Sequence, residues 1–178
     1  MCERIFLVMK LLKWFQRANA HVLISGNAYG LKQTLILEPS VLEHVEKSRQ
    51  LNSFSTEAGG QLFGVVNEHE IRVTIASGPY KRDQRGRYHY RSNQTSAQEM
   101  IETFAEKGLY YLGEWHTHAE DFPTASASDI DAMNKLLNNS KLNVNGLLML
   151  IVGRSNLLSG YSVTLFNQGK RYIWELSK

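Results

Sequence analysis

His116 and His118 stand two positions apart in the stretch GEWHTHAEDFPTASASD, residues 113–129, and Ser126 and Asp129 close it. The pattern reads His-x-His-x7-Ser-x2-Asp. Neutral imidazoles and a carboxylate are the ligand set of a catalytic zinc ion, which keeps one position for water. In an extended strand, residues i and i+2 face the same side, so His116 and His118 can aim at one point while Thr117 turns away. Asp129 falls about one turn into a helix starting at Ser126, and that first turn can lie over the same point. Zinc lowers the pKa of bound water toward ~7. A carboxylate must still take the proton and later give it to the leaving amine. Glu57, in TEAGGQLFG, is the candidate. It precedes Gly59 and Gly60, where the backbone can turn tightly or let a substrate chain approach. Ser126 can donate its hydroxyl to the oxyanion of a tetrahedral intermediate.

Each residue also has a plainer reading. An HxH pair is common in surfaces and cores. Ser126-x-x-Asp129 fits a helix N-cap with an acidic residue at its third position. The case for chemistry rests on several matches at one strand-to-helix junction. Glu120, Asp121 and Asp131 are competing carboxylates, although Asp131 points away from Asp129 on a helix. His21, His44, His69 and His89 have no ligand-like company and read as structural or surface residues.

The elements that position these groups follow from periodicity. Residues 34–38 read as a strand, followed by a helix over 40–50 opened by Pro39 and a Ser40-x-x-Glu43 capping box. Residues 61–66 and 70–77 read as strands around the turn Asn67-Glu68-His69. Gly78-Pro79 breaks the second strand. Lys81 to Arg91 is the most basic stretch, with Tyr80, Tyr88 and Tyr90 interleaved. It reads as a solvated loop leading into a strand, or as a surface that grips an acidic or extended peptide tail beside the active site. A helix over 95–107 opens on Thr95-x-x-Gln98 and stops at Gly108. Residues 109–115 form a buried strand running into the histidines, and a helix over 126–138 carries Ile130, Met133, Leu136 and Leu137 as its apolar stripe. The apolar run 146–152 reads as a central strand. Residues 160–166 and 171–176 close the chain as a hairpin around Asn167-Gln168-Gly169. The expected fold class is α/β, a mixed, curved sheet flanked by helices.

At 178 residues the chain reads as one domain, and 43% hydrophobic residues suffice for an ordinary core. A net charge of +3 argues for neither stable nucleic-acid binding nor membrane attachment. The single cysteine, Cys2, excludes zinc sites built on CxxC pairs and fits a reducing, cytoplasmic compartment. The apolar run 5–15 is interrupted by Lys10 and Lys13 and is too short to span a bilayer. Residues 1–20 are read as an N-terminal segment without an assigned role, and 21–178 as the domain.

The pattern of Glu57, His116, His118, Ser126 and Asp129 resembles the JAMM motif of zinc metalloproteases with the JAB/MPN fold. The resemblance covers residue 35 to the C-terminus. It implies a single-domain JAB/MPN-like fold, related to cytidine deaminases, and one Zn2+ ion per chain held by His116, His118 and Asp129. Glu57 would be the general acid/base and Ser126 the oxyanion stabiliser. The implied reaction is hydrolysis of peptide or isopeptide bonds following the C-terminal tail of a ubiquitin-like or conjugated protein. Two departures from the family pattern are Ala119, where proline often follows the second histidine, and Ala125, where proline often precedes the serine. They bear on loop shape more than on catalysis. The TEAGGQLFG segment and the basic loop are similar to the deconjugating JAB peptidases of CBASS anti-phage operons. That implies as partner a cGAS-like nucleotidyltransferase, released from the targets to which its C-terminus is attached. Processing of a sulfur-carrier protein, a non-catalytic MPN-type scaffold and a DNA-linked role are the other functions to weigh.

Overall fold

Short apolar strands separated by turn residues assemble into one nine-stranded sheet in the computed structural model, which describes residues 23–178. The expectations for residues 1–20 and for His21 lie outside the described residues. The elements in order are β1 (Ile24–Asn27), β2 (Thr34–Leu37), α1 (Pro39–Glu46), β3 (Gly59–Val66), β4 (Glu70–Ala76), β5 (Gln84–Arg85), β6 (Tyr90–Arg91) and α2 (Gln94–Ala105). There follow β7 (Tyr110–Thr117), α3 (Ala127–Asn139), β8 (Leu147–Val152), β9 (Tyr161–Asn167), β10 (Lys170–Ile173) and β11 (Glu175–Ser177). The sheet order is β10-β9-β8-β7-β3-β4-β2-β1-β11, while β5 and β6 form a separate two-stranded ribbon. Pairs β2/β4 and β7/β8 are parallel and the others antiparallel. This is the expected α/β class: a mixed, curved sheet with helices on its faces.

The core lies on both sides of β8, every residue of which is buried. Leu148, Leu150 and Val152 join the larger cluster, which takes in Val41, Leu42 and Val45 of α1 and Trp115 of β7. Leu147, Met149 and Ile151 face the other way and pack with Met133 of α3 and Phe166. The alternation is that of a strand buried on both faces. Because β7 and β8 are parallel, the chain must cross over between them, and α3 is that crossover. The first turn of α3 therefore stands just past the C-terminal end of β7, where His116 and His118 lie.

Three expectations change. Ser40 does not cap α1. Its hydroxyl donates to the Thr74 carbonyl, and Glu38 occupies the N-cap without a side-chain bond, leaving Pro39 to open the helix. Asn93, not Thr95, caps α2 by accepting from the Ser96 N–H, because the helix begins at Gln94 and asparagine stands two residues ahead of the threonine, where the free amides are. The closing hairpin forms between β9 and β10 around Gln168 and Gly169, both at positive φ, but the second strand breaks at Trp174. From there β11 pairs with β1 at the opposite end of the sheet. One continuous stretch thus engages both margins and brings the sheet close to a barrel. No helix among the described residues is long and apolar enough to cross a membrane.

Candidate metal centre

β7 alternates from Gly113 onward, after a register shift against β3 at Leu112. Leu112 and Trp115 therefore both enter the large core, while Glu114 and His116 line an open pocket of about 420 Å³ together with His118 just beyond the strand. Trp115 anchors the strand from below, fully buried, with its indole N–H donating to the Ser77 carbonyl at 2.8 Å. Thr117 turns away as expected: it is buried, and its hydroxyl accepts from the Ala58 N–H at 3.0 Å. That bond ties the histidine strand to the residue after Glu57.

Asp129 arrives on the first turn of α3. Ser126 accepts from the Asp129 N–H, and Asp129 Oδ2 accepts from the Ser126 N–H, so the helix begins with a reciprocal capping box. The capping reading of Ser126-x-x-Asp129 holds, and the cap fixes where the carboxylate stands. The Ser126 hydroxyl lines the pocket, donates to Asp129 Oδ2 at 2.6 Å and lies 2.8 Å from Ser128 Oγ.

His116 Nε2 and His118 Nε2 face each other at 3.0 Å. Asp129 Oδ1 is 3.5 Å from His116 Nε2, and Asp129 Oδ2 is 3.5 Å from His118 Nε2. Ligands about 2.0–2.1 Å from a tetrahedral ion are about 3.3 Å from one another, so these three donors fit zinc. Two facing imidazole nitrogens beside a carboxylate are also satisfied together by one cation. Among the described residues, this is the group of histidines and acids whose donor atoms gather closely enough to hold a metal.

Glu57 lies in the same pocket, 7% exposed. Burial, opposed by the charge of His118 and reinforced by Asp129, pushes its carboxyl up to about 7. The Asp129 carboxyl is held well below the usual range. Burial would raise it, but hydrogen bonds with His116 and His118 outweigh that effect. Burial disfavours a charge on His118, yet its bond to Asp129 and the charges of Asp129 and Glu57 raise its pKa on balance.

The glycine pair after Glu57 serves the protein's own packing. A Cβ on Gly60 would fall on the Ser77 carbonyl, and one on Gly59 on the Trp115 carbonyl and the Tyr90 ring. Close approach is the reason for glycine here, but the approaching chain is internal. Glu57 itself is held by the β5–β6 ribbon: its N–H donates to the Gly86 carbonyl at 2.7 Å, and Arg85 Nε donates to its carbonyl at 2.6 Å.

Of the competing carboxylates, Glu120 lies at the pocket wall, 3.7 Å from His118 Nδ1, on the outer side of the ring. Asp121 pairs with Arg154, and Asp131 with Lys135 on the outside of α3. His44 is structural, bonded through Nε2 to the Gly78 carbonyl at 2.6 Å and edge-on to Trp115. His89, read as structural or surface, lines the pocket with Tyr88. Glu114 was missed, although its place two residues before His116 on one strand put it on the same face. Half-buried on the pocket wall, with its carboxyl pKa raised by loss of solvent, it accepts from the Tyr111 hydroxyl and the Gln61 amide.

Residues 39–167 match the profile of prokaryotic homologs of the JAB domain. A protein of Escherichia coli named CD-NTase/cGAS isopeptidase is 30% identical over 132 residues, 72% of this chain and 82% of its own. Proteins of the same name from Pseudomonas aeruginosa and Vibrio cholerae are 33% and 32% identical, over 66% and 71% of this chain and 76% and 80% of theirs. A solved structure from Desulfitobacterium hafniense superposes with a TM-score of 0.56 at 18% identity, over 77% of this chain and 87% of its own, which speaks to the fold alone. With the matched region spanning α1 to β9 and enclosing every residue of the pocket's motif, the chain belongs to the prokaryotic JAB-domain family.

Proposed function

We propose that the protein is a zinc-dependent isopeptidase that cuts the bond following the C-terminal tail of a conjugated protein, releasing a cGAS-like nucleotidyltransferase from its targets. The observation that carries this reading is the meeting of His116, His118 and Asp129 in one pocket with Glu57. The names of the relatives favour an isopeptide bond and a CD-NTase as the conjugated protein.

His116, His118 and Asp129 would hold the zinc ion, which when bound would supply Lewis-acid polarisation of the carbonyl and acidify the attacking water. Glu57 takes the proton of that water as it adds to the amide carbon. A buried carboxylate with a raised pKa suits both halves of such a transfer. As the C–N bond breaks, Glu57 returns the proton to the departing lysine amine, leaving a carboxylate on the tail. Ser126 serves the oxyanion by rotating its hydroxyl from Asp129 Oδ2 toward the substrate oxygen. Asp129 keeps its orientation through the backbone half of the capping box.

The test is cleavage of a fusion that extends a CD-NTase beyond its C-terminal residue. Zinc-loaded protein is expected to release the extension, and Glu57→Gln to fall by ~10²–10⁴-fold in kcat. An intact fusion, alongside cleavage of unrelated tails, would refute the substrate.

A further inference from the structure

The ribbon of residues 81–91 carries Lys81, Arg82, Arg85, Arg87 and Arg91 against a single acid, Asp83. Asp83 is consumed internally: it accepts from the Tyr80 N–H, the Tyr90 hydroxyl and the Asn93 N–H, which fastens the ribbon to the start of α2. None of the five cations meets a carboxylate among the described residues. Arg49 and Arg154, by contrast, each sit against one, and Arg72 against two. Lys81, Arg82 and Arg91 are exposed, and Arg87 is spent on the Asn52 and Ser53 carbonyls and stacks over Tyr88.

Arg85 is placed differently. Its Nε donates to the Glu57 carbonyl, while its two terminal amino groups have no acceptor among the described residues. A guanidinium so arranged offers a free two-pronged fork to a carboxylate. Beside it, Tyr88 is 79% exposed and lines the pocket, and Phe54, on the turn that Arg87 grips, is 92% exposed. The ribbon is therefore a rigidly tethered surface with unmatched positive charge and exposed aromatic rings, bordering the metal centre.

We infer that this ribbon is the docking surface for an acidic, extended segment of the conjugated protein, with Arg85 as its central contact. The inference rests on the peptidase reading of the pocket and names the chemistry of the partner. Charge complementarity selects an acidic chain, and exposed tyrosine and phenylalanine suit extended peptide. A nucleic acid fits less well, because the chain's net charge is only +3 and these cations are gathered on one short ribbon rather than along an extended face. A segment bound to Arg85 lies one hydrogen bond from the backbone of Glu57, so docking steadies the residue that moves the proton.

The experiment is fluorescence anisotropy of the full chain with three labelled probes of equal length: a Glu-Gly repeat peptide, a Gln-Gly repeat peptide and oligothymidylate. Binding is read without cleavage, so the outcome stands apart from whether any fusion is cut. The acidic peptide is expected to bind at least about tenfold more tightly than the neutral one, with that preference fading as salt rises. The paired substitution Lys81→Glu with Arg82→Glu, at exposed side chains without internal contacts, should weaken it about tenfold while the melting temperature stays put. Arg85→Ala should weaken it as well, and Arg85→Lys should restore only part of the loss, lacking the fork. Equal binding of the two peptides, indifference to the charge reversals, or tighter binding of oligothymidylate than of the acidic peptide would each overturn the inference.

Discussion

Glu57 carries a thermodynamic signature that can be read without substrate. The residue is 7% exposed, and that burial pushes its carboxyl up from the ordinary 4.5 to about 7. The native state thus holds its proton more tightly than the unfolded chain does. Protonation supports the fold fully below the unfolded pKa, and that support is lost as pH rises through about 7. Above that range the native state carries a penalty of at most about 3 kcal/mol, from 1.36 kcal/mol per pKa unit. Glu57→Gln keeps the shape and removes the charge. With zinc chelated, the variant should melt close to wild type near pH ~4.5 and as much as roughly 6–12 °C above it near pH ~8.5, taking about 2–4 °C per kcal/mol for a chain of this size. The assay is differential scanning calorimetry of both proteins across that range. Parallel curves, with a melting difference independent of pH, would show that Glu57 is solvated as an ordinary carboxylate and would remove the physical basis for its role as a tuned acid and base.

Other outcomes follow from the same geometry. Elemental analysis should find about one zinc per chain in the wild type and none in His118→Ala or Asp129→Ala; retention in either would dissolve the ligand assignment. Ser126→Ala removes the side-chain acceptor of the α3 cap and should cost about 1 kcal/mol in urea unfolding, with a separate fall in kcat at unchanged KM. A stability loss with unaltered kcat would leave Ser126 only its capping role. Gly60→Ala drives a methyl into the Ser77 carbonyl and should destabilise by about 3 kcal/mol or more; a soluble variant with wild-type melting would refute the close approach.

The gathering of His116, His118 and Asp129 was legible because its determinants are local. Alternation along one strand aims His116 and His118 together, and a capping box fixes Asp129 on the next helix. What could not be read depends on contacts far apart in sequence. Nothing near Glu57 announces that Gly86 and Arg85 hold its backbone, so the basic stretch looked equally like a solvated loop. Asn93 and Thr95 are both capping residues by type, and only the placement of the chain turning off the ribbon decides between them. Residues 171–176 alternate like one strand, and the break at Trp174 shows only against the curvature of the finished sheet. The glycine pair was recognised as a site of close approach, but sequence does not say which chain approaches.

The passage of residues 170–177 from β9 to β1 sets a timetable for folding. Ser25 and Ser177 face each other across the seam at a separation of 152 residues. Of the described strands a ribosome delivers β1 first and β11 last, so β1 gains β2 early and waits for its second partner until the other described strands have been made. The seam is a late, non-local closure, the kind of contact that slows folding and leaves strand margins exposed to other chains. A nascent molecule stalled short of residue 175 would present that margin as a sticky edge. Slowed elongation or a shortened message should therefore yield aggregates before it yields inactive monomers.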